Sequence, residues 1–385
     1  MAKQTRYHEL DWLRAIVILN LIPFHAAWLI GSVEGFSRVG RSLAGVIAGH
    51  YVNFCSPVHM FLLFFIAGTS THIALGARGG SEYVAERFKR LFIPLIFFMV
   101  ALFPLLAFYW PGVIENPTFD AFFAFWPRIL LGTLYNPYNG SPNWAHLWFV
   151  AYLFIFSLLM LPFFLRWKKR REPAIISKLA SFSEKRGGII IFALPVILIM
   201  GLLAPIWPFY RNNLVSDWGY FAYNLTAFIY GYLFMTEERF RTAVDRIFKV
   251  SLLLGAVTAG AKIAISLGLP RFTVVDYTPE YLLYSVLNGL NTWFWITGIL
   301  GLARKTLNFR NTLLTYFSRI SYPFYIFHLV VMVVIGWYVT RLNLGFLWEF
   351  TLLSGLSLTA TLLCCEMVRR IRWISIFFGI KKPSK

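Results

Sequence analysis

The sequence predicts an all-α polytopic membrane protein with about ten transmembrane helices and both termini in the cytoplasm. Three observations predict it. Of 385 residues, 58% are hydrophobic and only 14% charged, against about 25% charged in a soluble domain, and the mean hydropathy is +0.64. Apolar runs recur at the length of a membrane span, roughly 20 residues. The cations between those runs alternate sharply from loop to loop. This composition excludes a secreted disulfide scaffold, a disordered chain and a nucleic-acid-binding globule, so the net charge of +19 is read as membrane topology and not as a polyanion-binding surface.

The first span, 12–30, contains Arg14, Pro23 and His25. It lacks the clean apolar core and small-residue cleavage site of a signal peptide, so it is expected to be a permanent helix. Span two, 50–73, stops before Arg78; span three, 91–110, follows Arg87, Lys89 and Arg90. Span four, 146–165, stops at Arg166, and span five, 188–206, follows Lys185 and Arg186. Span six, 219–236, precedes Arg239 and Arg241, and span seven, 249–268, follows Arg246 and opens at the boundary residue Lys249. Span eight, 281–303, stops at Arg304, and the last two occupy 320–340 and 346–367. With these spans 28 of the 36 cations fall on one side and 6 on the other (Arg38, Arg41, Arg128, Arg211, Arg271, Arg341), leaving Arg14 and Lys262 within spans. The positive-inside rule then gives cytoplasmic termini and an even span count. The whole chain, 1–385, is expected to be one membrane domain with no soluble appendage. Cys55, Cys364 and Cys365 have no metal-ligand or disulfide spacing and are expected to be apolar fillers.

The longest outer connection, about 111–145, is expected to be a loop. It holds Trp126, Tyr135, Tyr138 and Trp144 among Pro111, Pro117, Pro127, Pro137 and Pro142, beside Trp110. An interfacial aromatic belt accounts for this; so does a wall on which sugar rings stack.

Ionisable groups at bilayer depth are costly and point to function. Arg14 and His25 are eleven residues apart, three helical turns plus about 20°, which places both on one face roughly 16 Å apart along the axis. Arg14 taken alone fits a snorkelling anchor beside Asp11, and His25 alone fits a packed histidine. Together they form a polar track from the cytosol into the membrane. Pro23 removes the backbone bond to Leu19 and is expected to kink the helix beside His25. His59, His146, His328, Asn224, Asn288, Asn291 and Lys262 complete the inventory, each also explicable as interhelical glue. No Asp or Glu lies mid-span, which disfavours a proton-coupled carrier.

These residues resemble a known family. The R-x10-H pair in a first span beginning LDWLRA is similar to the signature of acyltransferase family 3, integral membrane O-acyltransferases that modify carbohydrates. The resemblance continues in order through HMFLLFFIAGT at 59–69, ERFKRLFIP at 86–94, HLWFV at 146–150 and SYPFYIFH at 321–328. IPFH and AHLWFV resemble the branch of that family acting on periplasmic glucans. Two departures stand out: Ala67-Gly68-Thr69 replaces the usual Ser-Gly-Phe or Ser-Gly-Tyr, and the Trp-Ser-Leu-x-x-Glu pattern of many members is absent, with Trp148-Phe149-Val150-Ala151-Tyr152-Leu153 in its place.

The resemblance implies a cytosolic acyl-coenzyme A donor, acetyl or succinyl, and a hydroxyl of an extracytoplasmic oligo- or polysaccharide as acceptor, in a bacterial inner membrane. His25 is the expected general base, with Arg14 orienting the donor arm. Arg87, Lys89 and Arg90 are the expected phosphate clamp, since guanidinium forks match phosphate geometry, although ordinary positive-inside charge also explains them. His59, His146, Trp148 and His328 are expected along the acceptor path. No metal and no nucleic acid is expected, and a homo-oligomer stays open. The rival readings are a transporter or flippase of an amphipathic substrate, with Arg14 and His25 as binding groups, and a membrane acyltransferase of unrelated fold acting on lipids or proteins.

Overall fold

A computed structural model describes residues 7–33, 36, 43–134, 144–169, 174–210, 212–371 and 373–380. Tyr135, Tyr138, Pro137 and Pro142 of the expected aromatic wall lie outside them, as do Lys3, Arg6, Arg38, Arg41, Arg170, Arg171, Arg211, Arg372, Lys381, Lys382 and Lys385 of the charge pattern.

Among the described residues the principal helices are α1 His8–Ser32, α2 Leu43–Ala77, α3 Gly80–Phe108, α4 Phe119–Leu134, α5 Ala145–Leu159, α6 Leu161–Lys169, α7 Ala174–Glu184, α8 Gly188–Leu203, α9 Trp218–Thr236, α10 Glu238–Gly268, α11 Pro279–Thr306, α12 Thr312–Val339 and α13 Phe346–Arg370. No strand occurs among the described residues, as expected where lipid offers the backbone no hydrogen-bond partner. Helix occupies most of each of the ten expected intervals, ending at Phe108 within 91–110 and at Leu203 within 188–206 and breaking at Met160 within 146–165. Seven of these helices are long and apolar enough to span a membrane, and an eighth arises if α5 and α6, bent by 43° at their junction, act as one. The two others differ for local reasons. α8 is short, opening in a 3₁₀ turn and closing in a π turn. α9 carries Tyr220, Tyr223, Asn224, Thr226, Tyr230 and Tyr232, which lower its apolar character and are mostly buried.

Part of the expected outer loop is instead helix α4. Phe122 and Phe125 pack on Phe108 at 5.3 and 5.5 Å between ring centroids, an apolar stripe at helical spacing that α3 holds in place. Pro104 explains one contact: it has no N–H to give to the carbonyl four residues back, and the Trp126 indole N–H donates to that oxygen, on Val100, at 3.0 Å. Pro23, by contrast, lies inside an unbroken α1.

Two compact units divide the chain. One contains Met1–Leu13, Pro57–Val84 and Ile155–Arg310; the other contains Arg14–Ser56, Ala85–Phe154 and Asn311–Lys385. In the first, α10 and α11 pair along their length. Gly255, Gly298 and Gly301 receive Trp295, Leu252 and Phe248 across that pair, the small-residue packing that membrane helices need without a hydrophobic drive between them. Asn291 adds hydrogen bonds to Gly255 O (3.0 Å) and Thr258 Oγ1 (2.8 Å), the glue expected of it. At one end Arg304 pairs with Glu238 (3.3 Å) and Asp245 (3.2 Å). At the other, Thr278 caps α11 by accepting from Tyr281 N. Asp276 accepts from the Thr278 hydroxyl and N–H, which holds its carboxyl below the usual range.

In the second unit α12 is the most buried span, with α13 beside it. Asn311 caps α12 by accepting from Leu314 N. A turn at Ile374–Phe378 returns against this unit. Phe378 stacks on Phe327 at 4.6 Å and Phe377 on Phe97 at 4.8 Å. The three cysteines are free, Cys55 and Cys365 being buried.

Candidate active site

α1 is continuous from His8 to Ser32, and its 3.6-residue turn puts Arg14, Leu21, His25 and Trp28 along one stripe. Arg14 and His25 are both half-buried. The His25 Nδ1 lies 3.0 Å from Leu21 O. A carbonyl only accepts, so Nδ1 carries the proton and Nε2 is left with the basic lone pair.

The structure brings two of the other expected histidines to this one. The ring of His328, fully buried on α12, lies 5.0 Å from that of His25, and the ring of His146, at the start of α5, lies 5.0 Å from that of His328. The order is therefore His25, His328, His146. His328 Nδ1 donates to Tyr325 O at 2.6 Å, and His146 Nε2 lies 3.2 Å from both Tyr325 O and Ile326 O. Those carbonyls fix both tautomers. They leave His328 Nε2 and His146 Nδ1 as buried lone pairs with no hydrogen-bond partner among the described residues. An orphaned buried acceptor costs about 1–3 kcal/mol, so two of them side by side require a functional explanation.

Tyr325 and Phe98 complete the cluster. The Tyr325 hydroxyl donates to His146 O, and its ring lies 5.7 Å from His146 and 5.5 Å from His328. Phe98 meets His146 edge-on at 5.0 Å. Sequence reasoning named neither. Tyr325 was legible as the residue one turn before His328. Phe98 was not, because α3 contains π turns at Phe88–Phe92 and Phe98–Leu102 that shift the helical phase, a distortion common at functional sites.

The remaining candidates are distributed differently. Trp148 is buried with its ring edge-on to Tyr152 at 5.3 Å. His59 is buried in the unit that contains Pro57–Val84, whereas Arg14, His25, His146 and His328 belong to the other. Arg87, Lys89 and Arg90 lie near the start of α3; Lys89 is exposed, and Arg90 pairs with Glu86 at 3.3 Å while its side chain stays 42% exposed.

An imidazole row held by helices of membrane-spanning character, with Arg14 three turns away on the first of them, is the candidate site of an integral membrane protein. The chain belongs to the acyltransferase 3 family: the family profile described as an acyltransferase domain matches residues 7–366. It is similar to proteins named glucans biosynthesis protein C from Salmonella typhi, Salmonella typhimurium and Salmonella heidelberg, each 25% identical over 99% of this chain and 96% of the relative. No solved structure matches.

Proposed function

We propose that the protein moves an acyl group from cytosolic acyl-coenzyme A to a hydroxyl of an extracytoplasmic glycan, with His25 as general base, in a bacterial inner membrane. The observation that carries this reading is the row His25–His328–His146, three imidazoles at 5.0 Å intervals whose tautomers are set by backbone carbonyls. The names of the glucan-biosynthesis relatives favour a glycan acceptor. The charge pattern favours a donor that approaches from the end of α1 carrying Arg14.

The chemistry needs few parts. His25 Nε2 takes the proton of the acceptor hydroxyl while its oxygen attacks the thioester carbon. The C–S bond breaks as the C–O bond forms, and the proton passes from His25 to the departing thiolate. Positioned proton transfer of this kind contributes about 10²–10⁴-fold. The phosphates of the donor cannot cross hydrocarbon, so they stay outside while the flexible thioester arm enters. Arg14, roughly 16 Å from His25 along α1, orients that arm, and Arg87, Lys89 and Arg90 hold the phosphates.

Mass spectrometry of cell-envelope glycans with and without the gene tests the reaction: an acyl ester lost with the gene supports it, and identical glycans remove it. The donor clamp has its own test. Arg87→Ala and Arg90→Ala are expected to weaken acyl-coenzyme A binding by about tenfold, or about 1.4 kcal/mol, more at low salt than at high salt. Titration calorimetry giving wild-type affinity in both variants discards those residues as the clamp.

A further inference from the structure

Three helices of the unit that holds the imidazole row end close together, and their aromatic residues meet ring to ring. The ring of Trp28, one turn beyond His25, lies 6.0 Å from that of His25 and 6.1 Å from that of Trp110, just past the end of α3. The neighbouring Tyr109 meets Trp337 of α12 at 6.0 Å and Tyr338 at 6.1 Å, with the two phenol oxygens 3.5 Å apart. The Arg341 guanidinium lies over the Trp337 ring, its Cζ 3.4 Å from the ring centre, and donates to Trp337 O at 2.6 Å. Phe36, only 1% exposed, braces the back of Trp110 and fits against Gly336.

We infer that these side chains form a subsite that stacks pyranose rings and leads a glycan acceptor toward His25. The inference rests on the acceptor being a glycan, as proposed above, and adds where it binds. Belt aromatics anchor a helix singly, each turned toward the headgroups. Phe119 and Phe123 on α4 are turned outward, 77% and 47% exposed, and their ring contacts stay within α4. Trp28, Tyr109 and Trp110 differ: they come from two chain segments, are half-buried, and connect through adjoining residues from His25 to Tyr338, which is 51% exposed. Indole and phenol rings offer a sugar broad, rigid apolar faces at low entropic cost. The phenol hydroxyls and the Arg341 guanidinium supply hydrogen-bond donors for hydroxyls between stacked rings.

The test is titration calorimetry of the full chain in lipid nanodiscs with a short glucose oligosaccharide and no acyl donor. Trp110→Leu and Tyr338→Ala are expected to raise its Kd by about tenfold or more, as truncation of a central aromatic anchor does, while Phe119→Ala leaves it unchanged. Tyr338 is exposed enough that its variant folds even if the Trp110 variant does not. Wild-type affinity in Tyr338→Ala, or no saturable binding by the unaltered protein, overturns the subsite. Without a donor present, this result is independent of the reaction. Ring-dependent binding by a protein that transfers no acyl group leaves the subsite standing and removes the catalytic reading; transfer with ring-independent binding does the reverse.

Discussion

His25→Ala is expected to lower acyl transfer by about 10²–10⁴-fold, the contribution of a positioned general base, while the protein still accumulates in the membrane and elutes as a single species. The asymmetry follows from how His25 is held. Its ring is half-buried and its Nδ1 bonds Leu21 O, a carbonyl four residues back within α1, so alanine removes no interhelical bond at that nitrogen and improves local helix propensity. His146→Ala makes the contrast. It strips a side-chain donor from Ile326 O and from Tyr325 O, which keeps the His328 Nδ1 bond, in a buried place, and is expected to cost stability as well as rate, about 0.5–1.5 kcal/mol for the lost hydrogen bond. Thiol release from acyl-coenzyme A in the presence of acceptor, together with the melting temperature, separates the two. A His25→Ala protein that transfers at the wild-type rate takes the imidazole out of the mechanism.

The sequence made the helices legible because the bilayer imposes one length and one polarity on each. Helix occupies most of each of the ten expected intervals, and the R-x10-H spacing on α1 needed only the 3.6-residue turn to put two groups on one face. Properties that depend on neighbours were not legible. Nothing in spacing joins His25 to His328 across about three hundred residues of chain, or separates His59 from them into the other compact unit. The role of Phe98 was hidden by π turns that break the helical period. α4 was hidden by Pro117 and Pro127, which suggested a loop although the stripe Phe119, Phe122, Phe123, Trp126 already ran at helical spacing.

Gly68→Ala and Gly231→Ala are expected to destabilise the protein most among single-methyl additions, by about 3 kcal/mol or more each, the upper end of overpacking costs. Gly68 sits in Ala67-Gly68-Thr69, where Ala67 stands in place of the serine usual in the family. The structure gives the glycine a reason that the serine does not need. A Cβ on Gly68 would stand 2.0 Å from Phe228 O and 2.9 Å from Tyr232 N of α9; one on Gly231 would stand 1.8 Å from Phe65 O of α2. The obstructing atoms are backbone, so no rotamer change relieves them and the helices must separate. Separation loosens the Phe61–Tyr223 and Phe65–Phe234 edge-on pairs at 5.1 and 5.4 Å and the Tyr223 hydroxyl bond to Pro57 O at 2.8 Å. Gly260 and Gly355 are the controls, since a Cβ at either meets nothing within 4 Å; alanine there is expected to be neutral, or stabilising by roughly 0.5–1 kcal/mol through helix propensity. Because one displacement of α2 from α9 accommodates both methyl groups, the Gly68→Ala/Gly231→Ala double variant is expected to lose less than the sum of its parts. Thermal melting of the full chain in nanodiscs reads all five variants, and wild-type melting temperatures for Gly68→Ala and Gly231→Ala would mean that α2 and α9 do not cross at these glycines.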